Sequence, residues 1–211
     1  MADMAVEHSH NLGAYEPPLF AAYSKKIGMW LFILSDSLTF GVLIFAYSYG
    51  RISTPNWPTP FNTHSIVNAS VMTFCLLSSS LTMVMAVAAA KRGDQSRTVR
   101  WILATMLGGV AFVYLHASEW KGLWKDEGMT PWSNHFAGGT VPQFGGTFFT
   151  LTGLHMLHVT IGVIYLGIIA WRSRGNKFNH EDVEVSGLYW HFVDLVWMFI
   201  FPLVYLMSTK V

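Results

Sequence analysis

The sequence predicts an all-α protein: a bundle of five transmembrane helices, with its N-terminus cytoplasmic and its C-terminus outside. Three observations carry that expectation. Hydrophobic residues make up 52% of the 211 residues and charged residues only 12%, whereas soluble chains run at about a quarter charged. Five apolar runs are each long enough to cross a hydrocarbon core of about 30 Å. The segments between them carry the prolines and glycines that break helices. A soluble enzyme, a disordered tail and a nucleic-acid binder are thereby excluded. Thirteen Lys and Arg against twelve Asp and Glu leave no basic excess to grip phosphates. Cys75 is the single cysteine, so no intrachain disulfide and no cysteine-built zinc or iron–sulfur site can form. In its apolar run it reads as a buried, inert thiol.

Residues 1–24 form a polar N-terminal tail with no visible signal peptide. Residues 25–211 form the transmembrane domain, with no internal repeat. The first span runs from Ile27 to Tyr49 and is followed by Pro55, Pro58 and Pro60. The second runs from Ser65 to Ala90, where Ser78, Ser79, Ser80 and Thr82 read as residues that let helices approach and bond across the contact. The third runs from Val99 to Trp120, with Gly108 and Gly109 as close-packing sites. Pro131, Gly138, Gly139 and Pro142 fill the loop after it. The fourth runs from Phe144 to Trp171, with Gly145, Gly146, Gly153 and Gly162 read as the third span's glycines are. The fifth runs from Val185 to Met207.

Orientation follows from the cations. Lys25, Lys26, Lys91, Arg92, Arg97, Arg100, Arg172, Arg174 and Lys177 lie on one side, nine in all, against Arg51, Lys121, Lys125 and Lys210 on the other. The nine-rich side is expected to be cytoplasmic. Trp57, Trp120, Trp124 and Trp132 fall near the outer ends, as interfacial aromatics do.

Ionisable residues inside a span are costly and mark a functional or tightly packed interior. The first span carries Asp36, the third His116 and Glu119, the fourth His155 and His158, the fifth His191 and Asp194. A rise of 1.5 Å per residue puts Asp36 roughly 15 Å in from the cytoplasmic side and His155 roughly 16 Å in from the other. His191 and Asp194 lie roughly 9–14 Å in. Asp36, His155, His158, His191 and Asp194 are therefore expected to face one another, with an Asp satisfying a His from another helix. His116 and Glu119 form an outer-rim pair. Glu119, beside Trp120 and Lys121, reads as solvated, so Glu119→Gln is expected to change activity little. Three readings of the histidines stay open on spacing alone: haem ligation between helices, a proton relay of a transporter, and a structural polar core. His155 and His158, three apart on one helix, cannot hold one iron from opposite faces. His8 and His10 in the tail, and His64, His135 and His180 in loops, read as solvated.

The residues resemble a known family. FGGTFFTLTGLHMLHVTIG, Phe144 to Gly162, resembles the signature helix of cytochrome c oxidase subunit III, and YWHFVDLVWMFIF, Tyr189 to Phe201, resembles that family's last helix. WLFILSDSLTF, Trp30 to Phe40, is similar to its first matching helix, with Asp36 where most members have Glu. The stretch from Asn68 through Ser79 resembles the next helix. His116 to Trp120 resembles a Gln-x-x-Glu-Tyr motif, with His116 and Trp120 as departures. The likeness runs from about Lys25 to the C-terminus.

The resemblance implies a non-catalytic subunit of a proton-pumping haem–copper terminal oxidase in a bacterial cytoplasmic membrane. Such a subunit stabilises subunit I, with subunit II in the same complex, supports proton uptake and binds phospholipid. It carries no haem or copper itself; those sit in partner subunits. The buried Asp and His residues then become a polar core that supports proton entry, and haem ligation recedes. Lys25 and Lys26 are suited to lipid headgroups. Many members have seven helices; only the last five are matched here, so extra helices, a small subunit or ordered lipid are expected against the first span. Quinol oxidases and nitric-oxide-reductase complexes use similar short subunits. The alternative of another class, a stand-alone proton-coupled transporter, lacks the repeats and broken helices common there.

Overall fold

In the computed structural model, residues 18–55, 57, 60–126, 128–130, 142–174 and 179–208 are described. Five long helices account for nearly all of them: α1 Pro18–Ser53, α2 Thr63–Lys91, α3 Gln95–Asp126, α4 Pro142–Arg174 and α5 His180–Ile200. Each holds a window long and apolar enough to cross a membrane. The helices overrun the expected spans by several residues at most ends. A helix of 29 residues such as α2 is about 43 Å long, enough to pass through the headgroup layers as well. Pro142 opens α4 rather than lying in a loop, a first-turn position where a missing N–H costs nothing. Pro58, Trp132, Pro131, Gly138, Gly139, Lys177, Lys210, His8, His10 and His135 lie outside the described residues.

The turn between α2 and α3 shows how local sequence sets the hairpin. Gly93 takes φ +74°, a conformation that only glycine adopts at little cost. Its N–H donates to Ala90 O at 3.0 Å, and Asp94 N–H donates to Ala89 O at 3.1 Å, the pairing that closes a helix C-terminus. Asp94 then caps α3, accepting from Arg97 N–H at 3.0 Å. At the start of α5, Asn179 caps by accepting from Glu181 N–H, and Glu181 and Asp182 follow in the first turn. Those acids favour the positive end of the helix dipole.

The last span does not continue as one α-helix to Met207. Pro202 has no N–H to donate, and its ring clashes with the carbonyl four residues back. The chain answers with a π-helical turn, Phe201–Tyr205, and a short tighter turn, Leu206–Ser208.

Helices α2 and α3 form the tightest pair, α5 packs against α1, α2 and α4, and α1 rests on α4 and α5. Only 6% of the apolar window of α1 is buried inside the chain, against 56% for α5, so α1 is peripheral and α5 central. Trp190 and Trp197 of α5 are among the largest fully buried side chains. The serine-rich stretch of α2 bonds across contacts as expected: Trp190 Nε1 donates to Ser79 Oγ at 3.1 Å, Trp197 Nε1 to Thr73 Oγ1 at 2.9 Å, and Thr82 and Thr105 hydroxyls meet at 2.8 Å. Ser78 differs, being exposed and bonded to its own helix.

The glycines divide by place. A Cβ on Gly108 would lie 2.7 Å from Ser79 Cβ and 3.1 Å from the Cys75 carbonyl oxygen; one on Gly109 would lie 2.6 Å from Trp190. Gly153 and Gly162 are similarly close to Trp120 and Trp190, whereas Gly146 has nothing within 4 Å and is not a packing site. Gly108→Val should therefore force α2 and α3 apart and destabilise the subunit by about 1–3 kcal/mol. Gly146→Ala should be neutral or slightly stabilising. Thermal denaturation of the two variants side by side checks this; equal midpoints would refute it.

Candidate functional site

The polar residues do not gather into one cluster. They form four groups; residues three apart on a helix point about 60° apart, which is enough to send His155 and His158 to different neighbours, whereas His191 and Asp194 still share Ser80.

The first group joins α1 to α4. Asp36 Oδ2 lies 2.9 Å from His158 Nε2, with the two side chains 17% and 12% exposed. His158 Nδ1 lies 2.8 Å from Leu154 O. A carbonyl can only accept, so Nδ1 carries a hydrogen there. The Asp36–His158 approach is within ion-pair distance, but Asp36 Oδ2 is not aligned for a hydrogen bond there. Phe40 packs edge-on against the imidazole at 5.3 Å, and Tyr189 OH donates to His158 O at 3.0 Å. Sequence reasoning gave Asp36 a histidine partner from another helix without saying which; Tyr189 had no signal beyond its place in the last-helix motif.

The second group is the pair His116 and His155, both fully buried. They sit in an aromatic box. His155 stacks on Trp197 at 5.1 Å and meets Phe112 edge-on at 5.5 Å. His116 stacks on Phe112 at 5.6 Å and meets Trp197 edge-on at 5.7 Å. None of their four ring nitrogens has a hydrogen-bond partner among the described residues. His116 is thus a core residue rather than a rim residue, and His155 stands apart from the Asp36 pair, although one helix carries both His155 and His158.

The third group lies between α2 and α5. His191 Nδ1 is 2.7 Å from Ser80 Oγ. Asp194 is 7% exposed, its Oδ1 has no partner, and Ser80 also lies beside its carboxylate. Neither His191 nor Asp194 faces Asp36. Their partner is the hydroxyl that the serine run supplies.

The fourth group corrects the solvated reading of Glu119. Its side chain is 8% exposed, and Oε2 accepts from Tyr205 OH at 3.0 Å. The π-helical turn carries Tyr205 into the core, where its ring lies 4.7 Å from Phe61. Sequence spacing could not register that turn.

At the cation-rich end, Lys25 Nζ is 2.8 Å from Asp182 and Lys26 Nζ 3.0 Å from Glu184. Lys91 adds a second contact to Glu184 at 3.5 Å, and Arg172 lies 3.9 Å from Asp182. Both lysines, read as headgroup contacts, are thus engaged within the chain, because the acidic first turns of α5 lie beside them. Among the described residues no group of three or more His, Cys, Asp or Glu could hold a metal ion.

Geometry and motif order agree with comparison to known proteins. The family model described as cytochrome c oxidase subunit III matches residues 3–209. The cytochrome c oxidase subunit 3 of Alkalihalophilus pseudofirmus is 30% identical over 209 residues, covering 97% of this chain and 98% of its own. That of Bacillus subtilis (strain 168) is 32% identical over 188 residues, covering 88% and 87%. A probable quinol oxidase subunit 3 of Staphylococcus aureus (strain USA300) is 29% identical over 212 residues, covering 95% and 97%. With nearly its whole length matched, and with the Asp36–His158 contact joining two of the motifs that carry the likeness, this chain belongs to the cytochrome c oxidase subunit III family.

Proposed function

We propose that the chain is the non-catalytic subunit III of a proton-pumping haem–copper terminal oxidase, held against subunit I with subunit II in the same complex. The cytoplasmic membrane of a bacterium is its place, with the lysine- and arginine-rich end inside. The observation that carries this reading is the Asp36–His158 contact. It spends an ionisable pair on tying the peripheral α1 to α4, as a subunit built to hold its shape beside a working partner requires. No redox centre belongs to this chain; haems and copper are assigned to the partners, which perform oxygen reduction. The polar groups hold the bundle together and support proton entry on the partner's side.

The exposed face of α1 supports a partner there. Ile27, Leu31, Leu34, Leu38 and Val42 are all well exposed, and Gly28 and Gly41 leave open space beside them. Small residues of this kind permit close helix approach in a membrane. Partner helices or ordered phospholipid are expected to cover that face.

A likeness to both cytochrome c and quinol oxidase subunits leaves the electron donor to be set by another chain. Purification of the tagged chain from its native membrane tests the reading. A haem–copper subunit should co-purify and oxidise either reduced cytochrome c or a quinol. On separation with detergent, the Soret band should stay with the partners. Isolation of this chain alone, or a Soret band that follows it, would overturn the proposal.

A further inference from the structure

Where the last turn of α4 meets the first turns of α3, Gln95, Ser96, Val99, Arg100, Leu103 and Arg174 line a cavity of about 480 Å³. The Gln95 side-chain amide donates to the Ser173 carbonyl, holding the two helix ends together. Of the cations at this end of the bundle, Lys25, Lys26, Lys91, Arg97 and Arg172 each lie within ion-pair distance of a carboxylate. Those contacts already engage Asp94, Asp182 and Glu184. Arg100 and Arg174 are exposed and have no carboxylate partner among the described residues. The cavity therefore presents two uncommitted guanidinium groups, each built to take a carboxylate.

The chain itself supplies carboxylates at the same end. Residues 1–24 hold Asp3, Glu7 and Glu16 and no Lys or Arg. They lead into α1, which begins at Pro18. Two turns on, Lys25 meets Asp182, which Arg172 of α4 also approaches, so the start of α1 and the end of α4 are neighbours. Helix α1 rests on α4, and α4 on α3. With axes 8–10 Å apart, the cavity lies roughly 20–25 Å across the bundle end from the start of α1. An extended chain covers at most ~3.4 Å per residue. Glu16 stands two residues before Pro18 and reaches only about 7 Å. Glu7 stands eleven before it and reaches about 37 Å, and Asp3 reaches about 50 Å. Reach thus selects Glu7 and Asp3. Exposed ion pairs are weak one by one, but a tether raises the effective concentration of the carboxylates to the order of millimolar. Only 6% of the apolar window of α1 is buried inside the chain, so a hold from its start to α3 and α4 adds what its own packing lacks.

We propose that residues 1–17 strap the end of the bundle, with Asp3 and Glu7 seated on Arg100 and Arg174. The strap goes beyond the function given above and does not rest on it, because tail and cavity share one end whichever way the bundle crosses.

Carbodiimide crosslinking, which joins a carboxylate only to an amine in direct contact, tests it on the protein purified from its native membrane with whatever chains accompany it. Arg100→Lys and Arg174→Lys keep the charge and supply the amines, and mass spectrometry of the digest reads the bonds. Each variant should crosslink to Glu7 or Asp3 and not to Glu16. Arg92→Lys, an exposed cation outside the cavity, should give at least tenfold less. Salt at about 1 M, where charges are screened within about 3 Å, should cut the yield severalfold. A second readout needs no crosslink: Asp3→Asn combined with Glu7→Gln should make amide hydrogen exchange over residues 18–26 about threefold faster. The crosslinks should be equal in nanodiscs of phosphatidylcholine alone and with added phosphatidylglycerol. Their loss on adding the anionic lipid would give the cavity to headgroups, and crosslinks to carboxylates of another subunit would give it to that partner. Equal yield from Arg92→Lys would show a tail that samples the whole belt, and unchanged exchange in the double variant would show that it holds nothing. Each of these four outcomes overturns the strap.

Discussion

Asp36→Ala should release the subunit from its complex or shorten the working life of the oxidase, with the initial rate much less affected. The carboxylate is the partner of His158 Nε2 at 2.9 Å, and the other ring nitrogen is already committed to Leu154 O. Removing Asp36 leaves a buried imidazole nitrogen with no partner, at about 1–3 kcal/mol if the ring is neutral. If the ring carries charge, an uncompensated buried cation costs about 3–5 kcal/mol. Asp36→Asn keeps the size and an acceptor oxygen and should fall between wild type and Asp36→Ala. The double variant Asp36→Ala, His158→Leu should recover part of the loss, since it deletes the orphaned group as well. Subunit retention after detergent wash and the number of turnovers before inactivation are the readouts. An Asp36→Ala complex with full assembly and full turnover lifetime would refute the structural role.

Much of this was legible in the sequence, and its limits have physical causes. Five apolar runs with prolines and glycines between them were enough for five helices, because a bilayer leaves the backbone no other way to satisfy its polar groups. That Asp36 needs a partner from another helix followed from the cost of burying it alone. Which histidine it meets did not follow. His155 and His158 share a helix, yet a 60° difference in direction sends one into an aromatic box and the other to α1. His191 and Asp194 meet Ser80 of α2 instead of Asp36, because their side of α5 packs on α2. Hydroxyl-rich runs have many possible partners, so Ser80 carried no more signal than Ser78, which bonds to its own helix. Glu119 was misread for another reason. Its neighbours in sequence, Trp120 and Lys121, are interfacial residues, whereas its burial depends on Tyr205 arriving from 86 residues away through a turn that Pro202 distorts.

Trp197→Ala should be the most damaging substitution in the aromatic core. The side chain is fully buried and meets Phe112 at 4.7 Å, His155 at 5.1 Å, His116 at 5.7 Å and Tyr205 at 6.0 Å. Its indole N–H also donates to Thr73 Oγ1 at 2.9 Å, tying α5 to α2. In a bilayer the hydrophobic transfer energy counts for less, because lipid is as apolar as the core. The lost van der Waals contacts count in full, since nothing replaces them in a cavity. Truncating a buried aromatic costs about 3–5 kcal/mol in soluble cores, and the packing share of that sets the scale here. The substitution also strips a stacked ring from His155 and an edge contact from His116, whose nitrogens have no partners among the described residues, so the new space would be polar enough to draw in water. Trp197→Phe is the milder change: it keeps one ring in the box while losing the hydrogen bond, about 1 kcal/mol, and the contacts of the second ring. The midpoint of thermal denaturation and the fraction of complexes that keep this subunit should therefore fall in the order wild type, Trp197→Phe, Trp197→Ala. If Phe and Ala are equally harmful, the hydrogen bond to Thr73 and the second ring, not the ring that Phe keeps, hold α5 in place; if neither is harmful, the aromatic box does not stabilise the bundle at all.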